Sequence, residues 1–102
     1  MTDKEKRRAS RAQLLLEVKY EGAGVRAETR ISDISTTGVF VDAMTVLPVG
    51  SRIALSFKLP DGHTVKPEGV VRQSQPGIGM GIEFTKISPD DALHIQTFVH
   101  TH

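Results

Sequence analysis

Residues 53–72 read IALSFKLPDGHTVKPEGVVR, and this stretch decides the fold. Ile53, Leu55, Phe57 and Leu59 alternate with Ala54, Ser56 and Lys58, a period of two that gives an extended strand one apolar face. Leu59-Pro60-Asp61-Gly62 then interrupts the pattern. Proline presets φ for a turn, and glycine accepts the positive φ that completes it. Val65 to Arg72 reads as the return strand, so the stretch is an antiparallel hairpin.

The same pattern extends in both directions. Downstream, Ile78, Met80, Ile82 and Phe84 form one face of a last strand, opposite Gly79, Gly81 and Glu83. Upstream, Leu14, Leu16, Val18 and Tyr20 alternate with Leu15, Glu17 and Lys19 before a turn at Glu21-Gly22-Ala23-Gly24. Val25 to Ile34 and the short run Val39-Phe40-Val41 supply two more strands, and Leu47-Pro48-Val49-Gly50 is another break. About six short strands with turn signals between them predict a mostly-β chain: a small antiparallel β-barrel, in which closure removes exposed edges. The end of the chain changes period. Ser88 caps, Pro89 fits the first helical position, and Asp91 stands three residues after the cap. Ala92, Ile95 and Val99, with Leu93 and Phe98 beside them, give a helical stripe over residues 88–100 that packs on the barrel.

At 102 residues there is room for one domain. Residues 3–11 hold five basic and two acidic side chains, a net +3, so the remaining chain carries −2 of the overall +1. The expected organisation is a flexible basic arm over residues 1–12 and a barrel with its helix over residues 13–102. No apolar run approaches the ~20 residues that cross a bilayer. The N-terminus lacks the pattern of a secretory signal. Absence of cysteine excludes disulfides and thiolate chemistry, and it fits a cytoplasmic location. The four histidines, His63, His94, His100 and His102, read as surface residues, with no pair of them at i, i+4 and no obvious carboxylate orienter nearby in sequence. Neither a catalytic set nor a metal set is visible, and an enzyme is not expected. Gly77-Ile78-Gly79-Met80-Gly81 runs into a strand rather than a helix, so it is not a phosphate loop.

Two segments carry chemistry. Arg7-Arg8-Ala9-Ser10-Arg11 spaces Arg7 and Arg11 as RxxxR. Guanidinium groups grip phosphates bidentately, address a guanine edge and stack on bases. Asp33-Ile34-Ser35-Thr36-Thr37-Gly38 falls between two strands. Asp33 can accept from the N–H groups of a guanine edge, Ser35 can donate to a phosphate or base acceptor, and Gly38 lets backbone turn and ligand approach. Each segment alone also reads plainly, the first as a solvated tail and the second as an ordinary turn.

Together, RxxxR followed by DxSxxG on a helix-closed barrel resembles the PilZ family of cyclic di-GMP receptors. Leu59-Pro60-Asp61-Gly62, Gly69-Val70-Val71-Arg72 and Gly79-Met80-Gly81-Ile82-Glu83-Phe84 extend the resemblance over nearly the whole chain. It implies a split barrel whose ligand is cyclic di-GMP, with no other cofactor. Arg7 and Arg11 match the family's phosphate- and guanine-clamping arginines. Asp33, Ser35 and Gly38 match the motif that holds a guanine edge. Arg8 is implied as a supporting contact, and Lys6 stands where the family's ligand count, one or a stacked pair, is influenced. Arg72, Gly79 and Met80 are secondary candidates on the same surface. The implied partners are the dinucleotide and a downstream protein, with neither membrane nor nucleic acid. The alternatives are a PilZ-type docking adaptor without ligand, and a nucleic-acid-binding barrel, which the low aromatic content of 5% disfavours.

Overall fold

The computed structural model describes residues 16–101, with side chains as far as His100. The arm expected over residues 1–12, with Lys6, Arg7, Arg8 and Arg11, lies outside the described residues. The elements are β1 (Leu16–Gly22), β2 (Val25–Ile34), β3 (Gly38–Asp42), β4 (Arg52–Lys58), β5 (Thr64–Val65), β6 (Glu68–Gln75), β7 (Gly79–Lys86) and α1 (Pro89–Thr101). The strands pair in the order β1-β2-β3-β7-β6-β4, and β4 returns to β1 through Val18↔Phe57 and Tyr20↔Leu55. This closes a six-stranded antiparallel barrel, as the alternating pattern predicts.

The expected single return strand from Val65 to Arg72 is instead two strands on one edge of β4, β5 at Phe57↔Val65 and β6 at Ala54↔Glu68. Pro67 causes the division, because it has no N–H to give the ladder. Its carbonyl still accepts from the Leu55 N–H at 3.0 Å, so the edge stays covered across the gap. The β1–β2 hairpin turns on Ala23 (φ 50°) and Gly24 (φ 79°). Two positive φ values in a two-residue loop define a type I′ turn, whose twist matches the strands it joins.

Inward-facing side chains of every barrel strand fill the interior, Ile31, Val41, Val65, Val71 and Met80 with no exposed surface at all. Ile95 and Phe98 of α1 join this core and plug it from one side. Two expected core residues face solvent. Ile78 is 60% exposed, because the Ile78 N–H to Gln75 C=O bond (2.9 Å) makes it the last residue of a turn, not the first of a strand. Leu93 is 59% exposed. It lies two residues from Ile95, and ~100° per residue carries it to the far side of the helix.

The cap of α1 forms as expected, with the Asp91 N–H donating to Ser88 Oγ at 3.0 Å. The Asp91 side chain reaches elsewhere. Its Oδ1 meets His63 Nε2 at 2.7 Å and its Oδ2 accepts from the Lys66 N–H at 3.0 Å. Asp61 Oδ2 meets His94 Nδ1 at 2.9 Å, and the two imidazoles stack with centroids 3.7 Å apart. The reading of His63 and His94 as surface residues without carboxylate orienters is therefore corrected. They clasp the β4–β5 hairpin to the first turns of α1, and their orienters come from across the fold.

Burial pushes the Asp91 carboxyl up, but the Lys66 N–H, His63 and Ser88 together outweigh it, and the net displacement is downward. The His63 N–H, and after it the His94 ring, hold Asp61 below its ordinary value. Groups depressed on folding stabilise the fold above their unfolded value, here 3.8, and lose that contribution as pH falls through the lower folded value. Thermal melts from about pH 6 to about pH 2 should therefore show Tm falling below the ordinary carboxylate range. Asp91→Asn should lower Tm at neutral pH and shrink that acid-limb loss; an unchanged profile would contradict the clasp.

Candidate functional site

Of the described candidates, Asp33, Ser35, Gly38 and Arg72 converge on the outer face of β2, β3, β7 and β6. Strict alternation from Ile31 would turn residue 33 inward and residue 34 outward. A register shift between Ile31 and Asp33, opposite Val41 and Phe40, inserts one extra residue. Ile34 consequently joins the core, and Asp33 takes the outer face across from Phe40. A β-bulge re-aims a side chain in this way without breaking the sheet.

Beyond Ile34 the chain turns tightly. The Ser35 N–H donates to the Gly38 carbonyl at 2.9 Å, and Ser35 Oγ accepts from the Thr37 N–H at 3.2 Å. The Ser35 hydroxyl lies 3.2 Å from Thr37 Oγ1 and 3.4 Å from the Gly38 carbonyl. The serine thus holds its own turn in shape, which is the plain reading of this motif. Of the two roles expected of Gly38, the freedom to turn is not what requires glycine here. Its φ is not positive. A Cβ there would instead be driven into the Ile82 carbonyl oxygen of β7.

Asp33, Ser35, Thr37, Gly38, Phe40, Arg72, Gln73, Gly81 and Glu83 line a shallow groove of about 340 Å³. A second register shift, between Val71 and Gln73, places Arg72 outside its ladder, and its Nε donates to Glu83 Oε1 at 2.8 Å. Both partners are more than half exposed, so the pair contributes little stability. It uses one of five guanidinium donors and parks Arg72 at the groove's edge. Of the secondary candidates, Arg72 lines the groove but Gly79 and Met80 do not. Met80 is fully buried, its sulfur accepting from the Leu47 N–H at 3.2 Å, and Gly79 is buried beneath the Phe40 ring.

Sequence reading missed Phe40 as a groove residue, because Val39-Phe40-Val41 looks wholly apolar. The signal was present in the neighbouring strand. Phe40 pairs with Gly81, and a Cβ on Gly79 would lie 2.6 Å from its ring. Alternate glycines on β7 leave bare backbone on which an outward aromatic can lie. A larger hollow of about 680 Å³ over β1, β2 and β4, lined by Lys19, Glu21, Arg26 and Glu28 among others, gathers none of the candidates. Among the described residues, no helix is long and apolar enough to cross a membrane.

The PilZ domain family model matches residues 5–101. No curated protein matches the chain by sequence. Several solved structures are similar, three of them as follows. The Bacillus subtilis inhibitor of motility MotI/DgrA superposes with a TM-score of 0.75 at 21% identity, over 85% of this chain and 46% of that one. Borreliella burgdorferi PlzA, in complex with c-di-GMP, gives 0.62 at 19% identity, over 80% and 31% respectively. The PilZ domain of CeSA from a cellulose-synthesizing bacterium gives 0.64 at 16% identity, over 85% and 91%. The chain thus spans less than half of the first two proteins.

The contrast between Gly38 and Ser35 is measurable by urea unfolding. Gly38→Ala should cost on the order of 1–3 kcal/mol by forcing β3 and β7 apart, and Ser35→Ala roughly 1 kcal/mol or less, as an exposed turn bond. Equal costs would contradict the close-approach role of Gly38.

Proposed function

This chain belongs to the PilZ domain family, and from that membership we propose that it is a receptor for cyclic di-GMP, read out by a downstream protein. Asp33 accepts from the N1–H and N2–H₂ of a guanine. Arg7 and Arg11 take the phosphates and cover the bases, and Arg8 supports them. Lys6 bears on whether one dinucleotide or a stacked pair is held. Arg72 swings from Glu83 toward the ligand's edge. No chemical step follows; the output is the surface formed when residues 6–11 are fixed over the barrel.

One observation carries this reading. Leu16, the first residue of β1, pairs with Ile31 of β2, immediately beside the bulge that turns Asp33 outward. The chain therefore enters the barrel next to the groove. Five residues of extended chain span up to ~17 Å, a length that allows an arginine at position 11 to reach Asp33 from Leu16. Electrostatics also favours help from that side. Among its described side chains the groove offers Asp33 and Glu83 against Arg72, a balance unsuited to a ligand with two phosphates. The basic segment at residues 4–11 supplies what the groove lacks. The engagement of the Ser35 hydroxyl within its own turn supports a second reading, a docking adaptor that binds no nucleotide.

Calorimetric titration with cyclic di-GMP distinguishes the two. A bidentate contact is worth ~1–3 kcal/mol, so Arg7→Ala and Arg11→Ala should each weaken binding by roughly tenfold to a hundredfold or more, with Tm unchanged. Asp33→Ala should lose preference for cyclic di-GMP over cyclic di-AMP. Absence of binding heat in the wild type favours the adaptor, and unchanged affinity in both arginine variants removes the clamp.

A further inference from the structure

At the base of α1, away from the groove, His63, Asp90 and His94 bring one potential ligand atom each within 4.8 Å of one another. We propose that this cluster is a binding site for a borderline divalent ion of the zinc class, which ties the β4–β5 hairpin to α1. Asp90 and His94 are four apart on the helix, so they share a face. Asp90 Oδ1 lies 3.9 Å from His94 Nε2, and Asp90 Oδ2 lies 3.7 Å from His63 Nε2.

The outer partners prepare the ligands. Asp61 Oδ2 accepts a hydrogen bond from His94 Nδ1–H at 2.9 Å in the tautomer that leaves the Nε2 lone pair free on the side of Asp90. Carboxylate support of the remote ring nitrogen is the arrangement that fixes and strengthens metal-binding histidines. Asp61 is itself held by the His63 N–H, so both histidines are tied to one carboxylate. His63 Nε2 faces Asp91 Oδ1 at 2.7 Å, and an ion entering there replaces the proton they share. Two imidazoles and one carboxylate suit zinc, nickel or copper and do not suit magnesium or calcium, which prefer all-oxygen shells.

Loading requires one movement. The ring planes are 4° apart, so an ion in the plane of one imidazole is off the plane of the other. The His63 ring, which follows the Pro60–Gly62 turn, must tilt out of the stack as the ion enters. The signal overlooked in the sequence is the Asp90–His94 pair, because only histidine–histidine spacing suggests a site at first sight. The proposal is independent of the dinucleotide site.

The test is titration of the purified full chain with Zn²⁺ and with Mg²⁺ near neutral pH, by calorimetry and thermal melts, with imidazole ¹⁵N spectra. One equivalent of Zn²⁺ should bind with proton release, raise Tm and shift the Nε2 resonances of His63 and His94, and Mg²⁺ should do none of these. Among the described residues no hydrogen bond of the clasp runs through Asp90, so Asp90→Asn keeps the fold and should weaken Zn²⁺ at least tenfold. His94→Ala should do the same, and His100→Gln with His102→Gln should leave binding unchanged. Equal Zn²⁺ affinity in wild type and Asp90→Asn, or loss of binding on changing His100 and His102 alone, overturns the proposal.

Discussion

The close approach of backbones in the β3-β7-β6 wall is the constraint on which the rest of the molecule depends. At Gly38, Gly69 and Gly79 a Cβ would strike the carbonyl oxygen of Ile82, Glu83 and Val41 respectively, each on an adjacent strand. Side chains are excluded at these points so that a strongly curved sheet can close on itself in six strands. The exclusion has a second consequence. Where β7 carries glycine on its outer face, the surface is left low, and Phe40 lies along it. The groove is thus a by-product of barrel closure, not a separate feature added to it.

Bulges complete the arrangement. Each shifts the alternation by one residue, a change that reverses the facing of everything beyond it. In β2 this turns Asp33 out while keeping Ile34 in the core, and in β6 it sets Arg72 outside the ladder beside Glu83. A recognition surface and a continuous apolar interior are obtained from the same strands because the irregularity is confined to single positions. The stability of the fold and the presentation of polar groups are therefore coupled at Gly38, whose loss would disturb both.

Much of this was legible in the sequence. Alternation in 53–59 and 80–84, the Pro60–Gly62 turn and the Ser88 cap are local signals, and local physics decided them. What escaped was set by tertiary contact. Pro67 divides a strand because of which neighbour it faces. Ile78 and Leu93 look like core residues until turn geometry and helix phase are fixed. Phe40 can lie outward only because the strand beside it carries glycines. His63 and His94, 31 residues apart, find each other only once the hairpin meets the helix. For the candidate site, the residue types were readable from their chemistry and from the resemblance to PilZ domains. Their convergence in space, and the exclusion of Gly79 and Met80 from the groove, needed the fold.

The central claim is that a guanine-bearing cyclic dinucleotide seats on the outer face between the β2–β3 turn and β6–β7, at the end where the chain enters β1. Backbone amide mapping by NMR during titration with cyclic di-GMP addresses it most directly. The account predicts shifts concentrated at residues 33–40, 72–73, 81–83 and 6–11, with the His63–His94 clasp unperturbed. Shifts centred on the hollow over β1 and β4, or none at saturating nucleotide, would contradict it.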